Sequence, residues 1–217
     1  LKNLKKIKNE KNSYCKNNFS YFYCFQNLNI WRHRKNNAKY FITKNEHVSG
    51  TDRIHEVLTR IDPDKHYEYV VNLQGDLPNV KSSIIDRGLE QIKDTDADIL
   101  TYARIIDDKK DILNPNIVKI ATSASQKNDL QAIYFSRSPI PYGGKVYYEH
   151  IGIYIYKREA LDRFISMKPS SLEKEEKLEQ LRAIQNSMKI NLILVDDKII
   201  SIDTLDDVER LKNTIKE

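Results

Sequence analysis

Two carboxylates stand where runs of strand-forming residues end. Tyr69-Val70-Val71-Asn72-Leu73 runs into Gln74-Gly75-Asp76, and Ile199-Ile200-Ser201-Ile202 runs into Asp203. Carboxylates at strand ends in one sheet suit a hard divalent cation. Magnesium held by one or two of them plus substrate phosphates is the usual arrangement in nucleotide chemistry. Gly75 would let a ligand approach the backbone closely. The same two aspartates also read as a turn residue and a residue preceding a helix cap. Arg137 follows the apolar run 132–135 and precedes Pro139 and Pro141. It could grip a carboxylate or phosphate with two hydrogen bonds, or form a surface ion pair. His150 stands immediately before an apolar run and reads as a structural or a catalytic histidine. Glu173, Glu176, Glu179 and Gln180 form a charged helix face, and such faces are commonly solvated.

These residues need elements to hold them. Strand patterns cover 39–43, 69–73, 97–106, 117–122, 132–135, 151–156, 190–195 and 199–202. Ser49-Gly50-Thr51-Asp52 opens a helix carrying Ile54, Val57, Leu58 and Ile61 at helical spacing, and Asp62-Pro63-Asp64 stops it. Ser82 or Ser83 caps a helix with Ile84, Ile85, Leu89 and Ile92. A helix is predicted over 158–167. Ser170-Ser171-Leu172-Glu173 is a capping box for one long helix through Ile184. Thr204-Leu205-Asp206-Asp207 caps a last helix through Ile215. Short apolar strands alternating with amphipathic helices predict an α/β fold. Its sheet is expected to be mostly parallel, with helices on both faces and ligands beyond the carboxyl ends of the strands.

Composition sets the outer bounds. The 217 residues carry a net charge of +5 with 40% apolar residues, enough for one substantial domain and too apolar for a disordered chain. No apolar run reaches the ~18 residues of a membrane span. Cys15 and Cys24 form no Cys-x-x-Cys pair, which excludes a disulfide scaffold or a cysteine-type zinc module. The Lys-rich start lacks the apolar core of a signal peptide, so the expected compartment is the cytoplasm. The charge is unevenly spread. Residues 1–46 hold 11 Lys or Arg against two acids, and the rest of the chain is net acidic. The first 46 residues also hold ten Asn and no Gly, Pro or Asp. This composition break sets 1–39 apart as an atypical basic segment, expected to be poorly ordered, from a domain over 40–217. Tyr21, Phe22, Tyr23 and Trp31 could stack bases. The segment has neither a helical stripe nor an alternation, however, and no nucleic-acid partner is expected.

The motifs occur together and in one order. Ser49-Gly50-Thr51-Asp52-Arg53 is followed by Val71 to Asp76, Asn114-Pro115-Asn116-Ile117-Val118-Lys119 and Tyr134 to Pro141. Next come His150-Ile151-Gly152-Ile153-Tyr154, Leu178-Glu179-Gln180-Leu181-Arg182 and Ile202-Asp203-Thr204. The series resembles the 3-deoxy-manno-octulosonate (KDO) cytidylyltransferase, or CMP-KDO synthetase, family over about 40–217. The resemblance implies a Rossmann-like nucleotide-diphospho-sugar transferase sheet. It also implies transfer of the cytidylyl group of CTP to KDO with release of pyrophosphate, supplying lipopolysaccharide synthesis. It implies a homodimer, and Mg2+ as cofactor held by Asp76 and Asp203 as catalytic residues. Gln74, Arg137, His150, Tyr154, Glu179 and Gln180 would bind the acid sugar. Ser49, Gly50, Thr51 and Arg53 would lie at the nucleotide.

The family's opening strand and its Ile-Pro-Ala-Arg loop, with a later Gly-Lys-Pro, have no match among these residues. The first βα unit is therefore expected to be missing or replaced, through a truncated or frameshifted gene. The CTP site, and with it the activity, is expected to be impaired. The rival expectation is a non-catalytic remnant acting at most as a dimerising or nucleic-acid-contacting protein.

Overall fold

Covering apolar strands on both faces explains most of what the chain does. The computed structural model describes residues 22–25, 39–47, 49–123, 130–199, 201, 202 and 209. The chain divides into two units, 1–47 and 48–217. In the first, β1 (Phe22–Phe25) and β2 (Lys39–Ile42) pair in parallel, with Phe22 opposite Lys39 and Phe25 opposite Ile42.

The second unit is built on a six-stranded sheet. Its strands are β3 (Tyr69–Leu73), β4 (Ile99–Ile105), β5 (Lys119–Ser123), β6 (Leu130–Ser136), β7 (Tyr148–Lys157) and β8 (Ile190–Leu194). Their order is β3-β7-β4-β8-β6-β5, and a further β7–β5 pairing closes it. The helices are α1 (Gly50–Ile61), α2 (Ser82–Gln91), α3 (Lys109–Leu113), α4 (Arg158–Ser166), α5 (Ser171–Glu176) and α6 (Leu181–Gln185). Alternation along the strands makes two cores. Tyr154 and Tyr156 of β7, with Ile99 and Ala103 of β4, face Leu58 of α1 and Leu161 and Phe164 of α4. Ile151, Ile153 and Ile155, with Leu100 and Tyr102, face Ile84, Ile85 and Leu89 of α2. Helices thus cover both faces, as expected.

The mostly parallel sheet is not what forms. Within the six strands only β4–β8 is parallel, while β3–β7, β4–β7, β5–β6, β5–β7 and β6–β8 are antiparallel. A strand buried on both faces reads as a continuous apolar run whichever way its neighbours point, so burial concealed the direction. One clue was available. Only residues 124–129 separate β5 from β6, too few for the dozen or more that a parallel crossover needs.

Two further expectations are corrected. The single helix through Ile184 is split into α5 and α6 at Lys177, which takes φ 57° at the C-cap of α5. A straight helix would set residues nine apart about 13 Å from each other. The break instead lets buried Arg182 close a two-point ion pair with Glu173, 2.9 and 2.5 Å long. The run ending at Ile202 does not form a strand among its described residues. It is pinned to the loop after β3 by Ile202 N–H donating to the Asp76 carbonyl (3.0 Å) and Asn79 Nδ2 donating to the Lys198 carbonyl (2.8 Å). The helix expected after Thr204 lies outside the described residues, apart from helical Glu209.

At Gly88, α2 packs close against the sheet. A Cβ there would overlap the Tyr102 hydroxyl, which donates to the Ile84 carbonyl (2.9 Å), and would also overlap Ile155 Cδ1. Gly88→Ala is therefore expected to lower unfolding free energy by about 1–3 kcal/mol in urea denaturation. An unchanged midpoint would contradict this packing.

Candidate functional site

The first turn of α1 is locked by its own cap. Ser49 Oγ accepts from Asp52 N–H (3.1 Å), and Asp52 Oδ2 accepts from Ser49 N–H (3.2 Å). That reciprocal box aims Thr51 inward, where it is buried. Thr51 Oγ1 donates to Glu179 Oε2 (2.8 Å) and accepts from Asn72 Nδ2 of β3 (3.2 Å). Gly50 neighbours Gln74, whose Nε2 lies 3.9 Å from where a Cβ on Gly50 would stand. Arg53 is half-buried on the same turn.

Glu179 is under-neutralised. Its Oε1 is buried without a hydrogen-bond partner among the described residues. The Arg182 guanidinium is 3.9 Å away and committed to Glu173 and to the Phe164 ring, 4.6 Å from its centroid. Burial pushes the Glu179 carboxyl above its ordinary value, against the hydrogen bonds from Ser49 and Thr51 and the charge of Arg182. A carboxylate held this way has a spare acceptor oxygen. Gln180, the next residue, is buried at the start of α6.

Asn72 pairs in register with Tyr154, which joins this cluster to a ladder of rings along β7. Phe135 meets His150 edge-on at 5.1 Å and 77°, His150 meets Tyr154 at 5.4 Å, and Tyr154 meets Tyr156 at 5.9 Å. Burial pushes the His150 imidazole down to about 3 and the Tyr154 phenol well up. Both are therefore neutral near pH 7 and act as hydrogen-bonding groups.

Arg137 is clasped by backbone. Its Nε donates to the Glu176 carbonyl (3.2 Å) and its Nη1 to the Pro115 carbonyl (3.0 Å), while Glu176 Oε2 accepts from the Arg137 N–H (3.1 Å). Lys119 is fully buried behind it, donating to the carbonyls of Asn114 (2.9 Å) and Ile117 (2.6 Å). Burial first, then the charge of Arg137, lowers the Lys119 pKa against Glu176. Lys119 thus shapes the loop that grips Arg137. The Nη2 end of Arg137 has no partner among the described residues.

Asp76 stands just past β3. Its Oδ2 accepts from Ser201 Oγ (2.8 Å), and its Oδ1 is buried with no partner among the described residues. An orphaned carboxylate oxygen fits the donor set of a hard cation. Asp203, the expected second ligand, lies outside the described residues. Among them, no cluster of three or more metal-binding side chains occurs. Ser49, Gly50, Thr51, Gln74, Glu179, Tyr154 and His150 are thus contiguous. No hydrogen bond or ion pair joins Arg137 or Asp76 to them among the described residues.

The sequence reading assigned no site role to Asn72, Thr101, Lys119, Glu176, Tyr156 or Arg182. Lys119 carried a signal, a lone lysine inside an apolar strand. The others read as ordinary strand or helix-face residues.

The chain matches the cytidylyltransferase family over residues 28–190. It is 44% identical to the 3-deoxy-manno-octulosonate cytidylyltransferase of Bartonella bacilliformis over 177 residues, 82% of this chain and 73% of that protein. With the 3-deoxy-manno-octulosonate cytidylyltransferase of Rhodopseudomonas palustris it shares 43% over 174 residues, 80% of this chain and 71% of the relative. A solved structure of CMP:2-keto-3-deoxy-manno-octonic acid synthetase complexed with CTP superposes with a TM-score of 0.83 at 26% identity. That match covers 98% of this chain and 87% of the other.

The raised Glu179 carboxyl carries a pH signature. A group that holds its proton more tightly when folded supports stability at low pH and loses that support as pH rises through its folded value. Removing it with Glu179→Gln should remove that loss. Relative to wild type, the variant is expected to gain stability as pH is raised from below the ordinary glutamate range to neutrality. Denaturant titrations at several pH values measure the difference, and a difference flat with pH would contradict the burial.

Proposed function

The chain belongs to the 3-deoxy-manno-octulosonate cytidylyltransferase family, and from that premise we propose how its residues divide the work. The reaction is that of a nucleotidyltransferase. The anomeric oxygen of KDO attacks the α-phosphorus of CTP, a new sugar O–P bond forms as the α–β phosphoanhydride bond breaks, the hydroxyl proton passes to solvent, and pyrophosphate leaves. The single observation that carries the assignment of residues is the continuous polar face of Glu179, Tyr154 and His150, with one buried acceptor oxygen that has no hydrogen-bond partner among the described residues. An eight-carbon acid sugar offers the hydroxyls such a face would read.

Each residue then has a task. Glu179 accepts from a sugar hydroxyl through Oε1, and Thr51 holds the carboxylate still through Oε2. His150, Tyr154, Gln74 and Gln180 complete the sugar contacts. Arg137 presents its Nη2 edge, unpartnered among the described residues, to the sugar carboxylate, its other nitrogens fixed by the Glu176 and Pro115 carbonyls. A planar cation held in advance loses little freedom on binding an anion. Ser49, Gly50 and Arg53, beside Thr51 at the start of α1, lie toward the nucleotide. Asp76 and Asp203 are the residues that would hold magnesium, and the support for this is the Oδ1 of Asp76, which has no hydrogen-bond partner among the described residues. When bound, the ion would neutralise charge on the triphosphate. Positioning and charge neutralisation are most of what phosphoryl transfer asks of a protein.

The wider setting is proposed on the same footing: a homodimer working in the cytoplasm and supplying KDO to lipopolysaccharide. No helix among the described residues is long and apolar enough to cross a membrane.

Two substitutions test the division of labour. In a coupled pyrophosphate assay with CTP, KDO and magnesium, Asp76→Asn is expected to lose about a hundredfold or more of whatever turnover the parent chain shows. Arg137→Ala is expected to weaken KDO binding by about 1.5–3 kcal/mol, the worth of a charged hydrogen bond, in calorimetry. Equal KDO affinity in the variant and the parent would remove Arg137 from the sugar site.

A further inference from the structure

Thr101 is fully buried on β4, opposite Tyr154 in register. The pairing slips there: the next residue, Tyr102, faces Ile151, so Gly152 and Ile153 of β7 fall outside the one-to-one ladder. This irregularity brings two carbonyls to one hydroxyl. Thr101 Oγ1 lies 2.8 Å from the Ile153 carbonyl and 3.3 Å from that of Ile151, and 2.9 Å from His150 Nε2.

Counting protons settles who donates. A hydroxyl has one proton, and a carbonyl can only accept. The contact with Ile153 therefore uses the hydroxyl proton. The contact with His150 needs a second proton, and only the imidazole can supply it. Nε2 carries the hydrogen and donates to Thr101 Oγ1. The ring is neutral, because burial holds its pKa far below neutrality, so its single proton is accounted for. Nδ1 is left as a lone pair, with no partner among the described residues. The ring cannot easily turn, with Phe135 packed edge-on at 5.1 Å and Tyr154 at 5.4 Å.

We infer that Thr101 is a positioning residue for the transfer reaction: it fixes His150 as the Nε2–H tautomer, so that Nδ1 accepts a hydrogen bond from a hydroxyl of the acid sugar. The inference rests on the function proposed above, and deepens it by assigning the direction of one sugar contact. Without the Thr101 hydroxyl the ring is free to carry its proton on either nitrogen, and the acceptor is no longer held ready.

Two measurements on the full chain test it. Long-range 15N–1H correlation of the imidazole, with the His150 signals assigned by His150→Gln, reads the tautomer directly and needs no substrate. The wild type and Thr101→Ser are expected to show protonated Nε2. Thr101→Val and Thr101→Ala are expected to lose the single tautomer. In calorimetry, KDO is expected to bind roughly three- to tenfold more weakly to Thr101→Val, the loss of one neutral hydrogen bond, with Thr101→Ser restoring affinity. A purely structural role would not make the tautomer and the sugar affinity move together. Protonated Nδ1 in the wild type overturns the inference, even if every variant fails to fold. So does a folded Thr101→Val that loses the tautomer but binds KDO as the wild type does. A wild type with protonated Nε2 that binds no KDO overturns the functional reading itself, and the sugar contact with it.

Discussion

One strand constrains the rest of this unit. β7 runs ten residues, Tyr148–Lys157, and pairs antiparallel with β3, β4 and β5. Period-two alternation then assigns its side chains without further choice. Ile151, Ile153 and Ile155 enter one core, while His150, Tyr154 and Tyr156 line up on the opposite face. A register slip of one residue would drive the isoleucines into the polar cluster and the tyrosines and histidine under α2. The apolar core therefore fixes the register of the site, because each buried isoleucine is worth about 1.5–3 kcal/mol.

The polar face is organised by what burial demands of charges. A buried charge needs a partner or close hydrogen bonds. Arg182 satisfies this with Glu173, and Lys119 with two carbonyls. Glu179 and Asp76 each satisfy it with one oxygen, and the other has no hydrogen-bond partner among the described residues. Unmatched buried acceptors are costly to folding and useful to a ligand that brings donors or positive charge. Their placement, one beside the rings of β7 and one past the end of β3, corresponds to the two kinds of group the proposed reaction must hold: hydroxyls and a cation.

Local chemistry was legible in the sequence where it acts over a few residues. Ser49 caps α1 as its position suggested, the Ser170 capping box forms as written, and the apolar run 69–73 is β3 residue for residue. Strand direction was legible only where a connection is too short for a parallel crossover, as between β5 and β6; elsewhere an isoleucine buried on both faces looks the same beside a parallel or an antiparallel neighbour. The break at Lys177 was hidden for a different reason. It is imposed by the long reach from Arg182 to Glu173, a tertiary contact that overrides the helical pattern around it. Thr101 was invisible as a functional residue because threonine is an ordinary strand former. Only the slip opposite it, which brings two carbonyls and an imidazole to one hydroxyl, gives it a task. Arg137 and His150 drew attention by their position in the sequence, but the groups that hold them in place, Glu176 and the Pro115 carbonyl for one and Thr101 for the other, lie far from them in the chain.

The central claim is that this face delivers an acid sugar to the α-phosphorus of CTP. Phosphorus NMR of the protein with CTP, magnesium and KDO follows every phosphate group at once. The account predicts that pyrophosphate and a sugar-linked CMP phosphodiester accumulate one for one, however slowly, and that neither forms when KDO is left out. Cleavage of CTP to CDP and inorganic phosphate, or pyrophosphate release at the same rate without KDO, would contradict it.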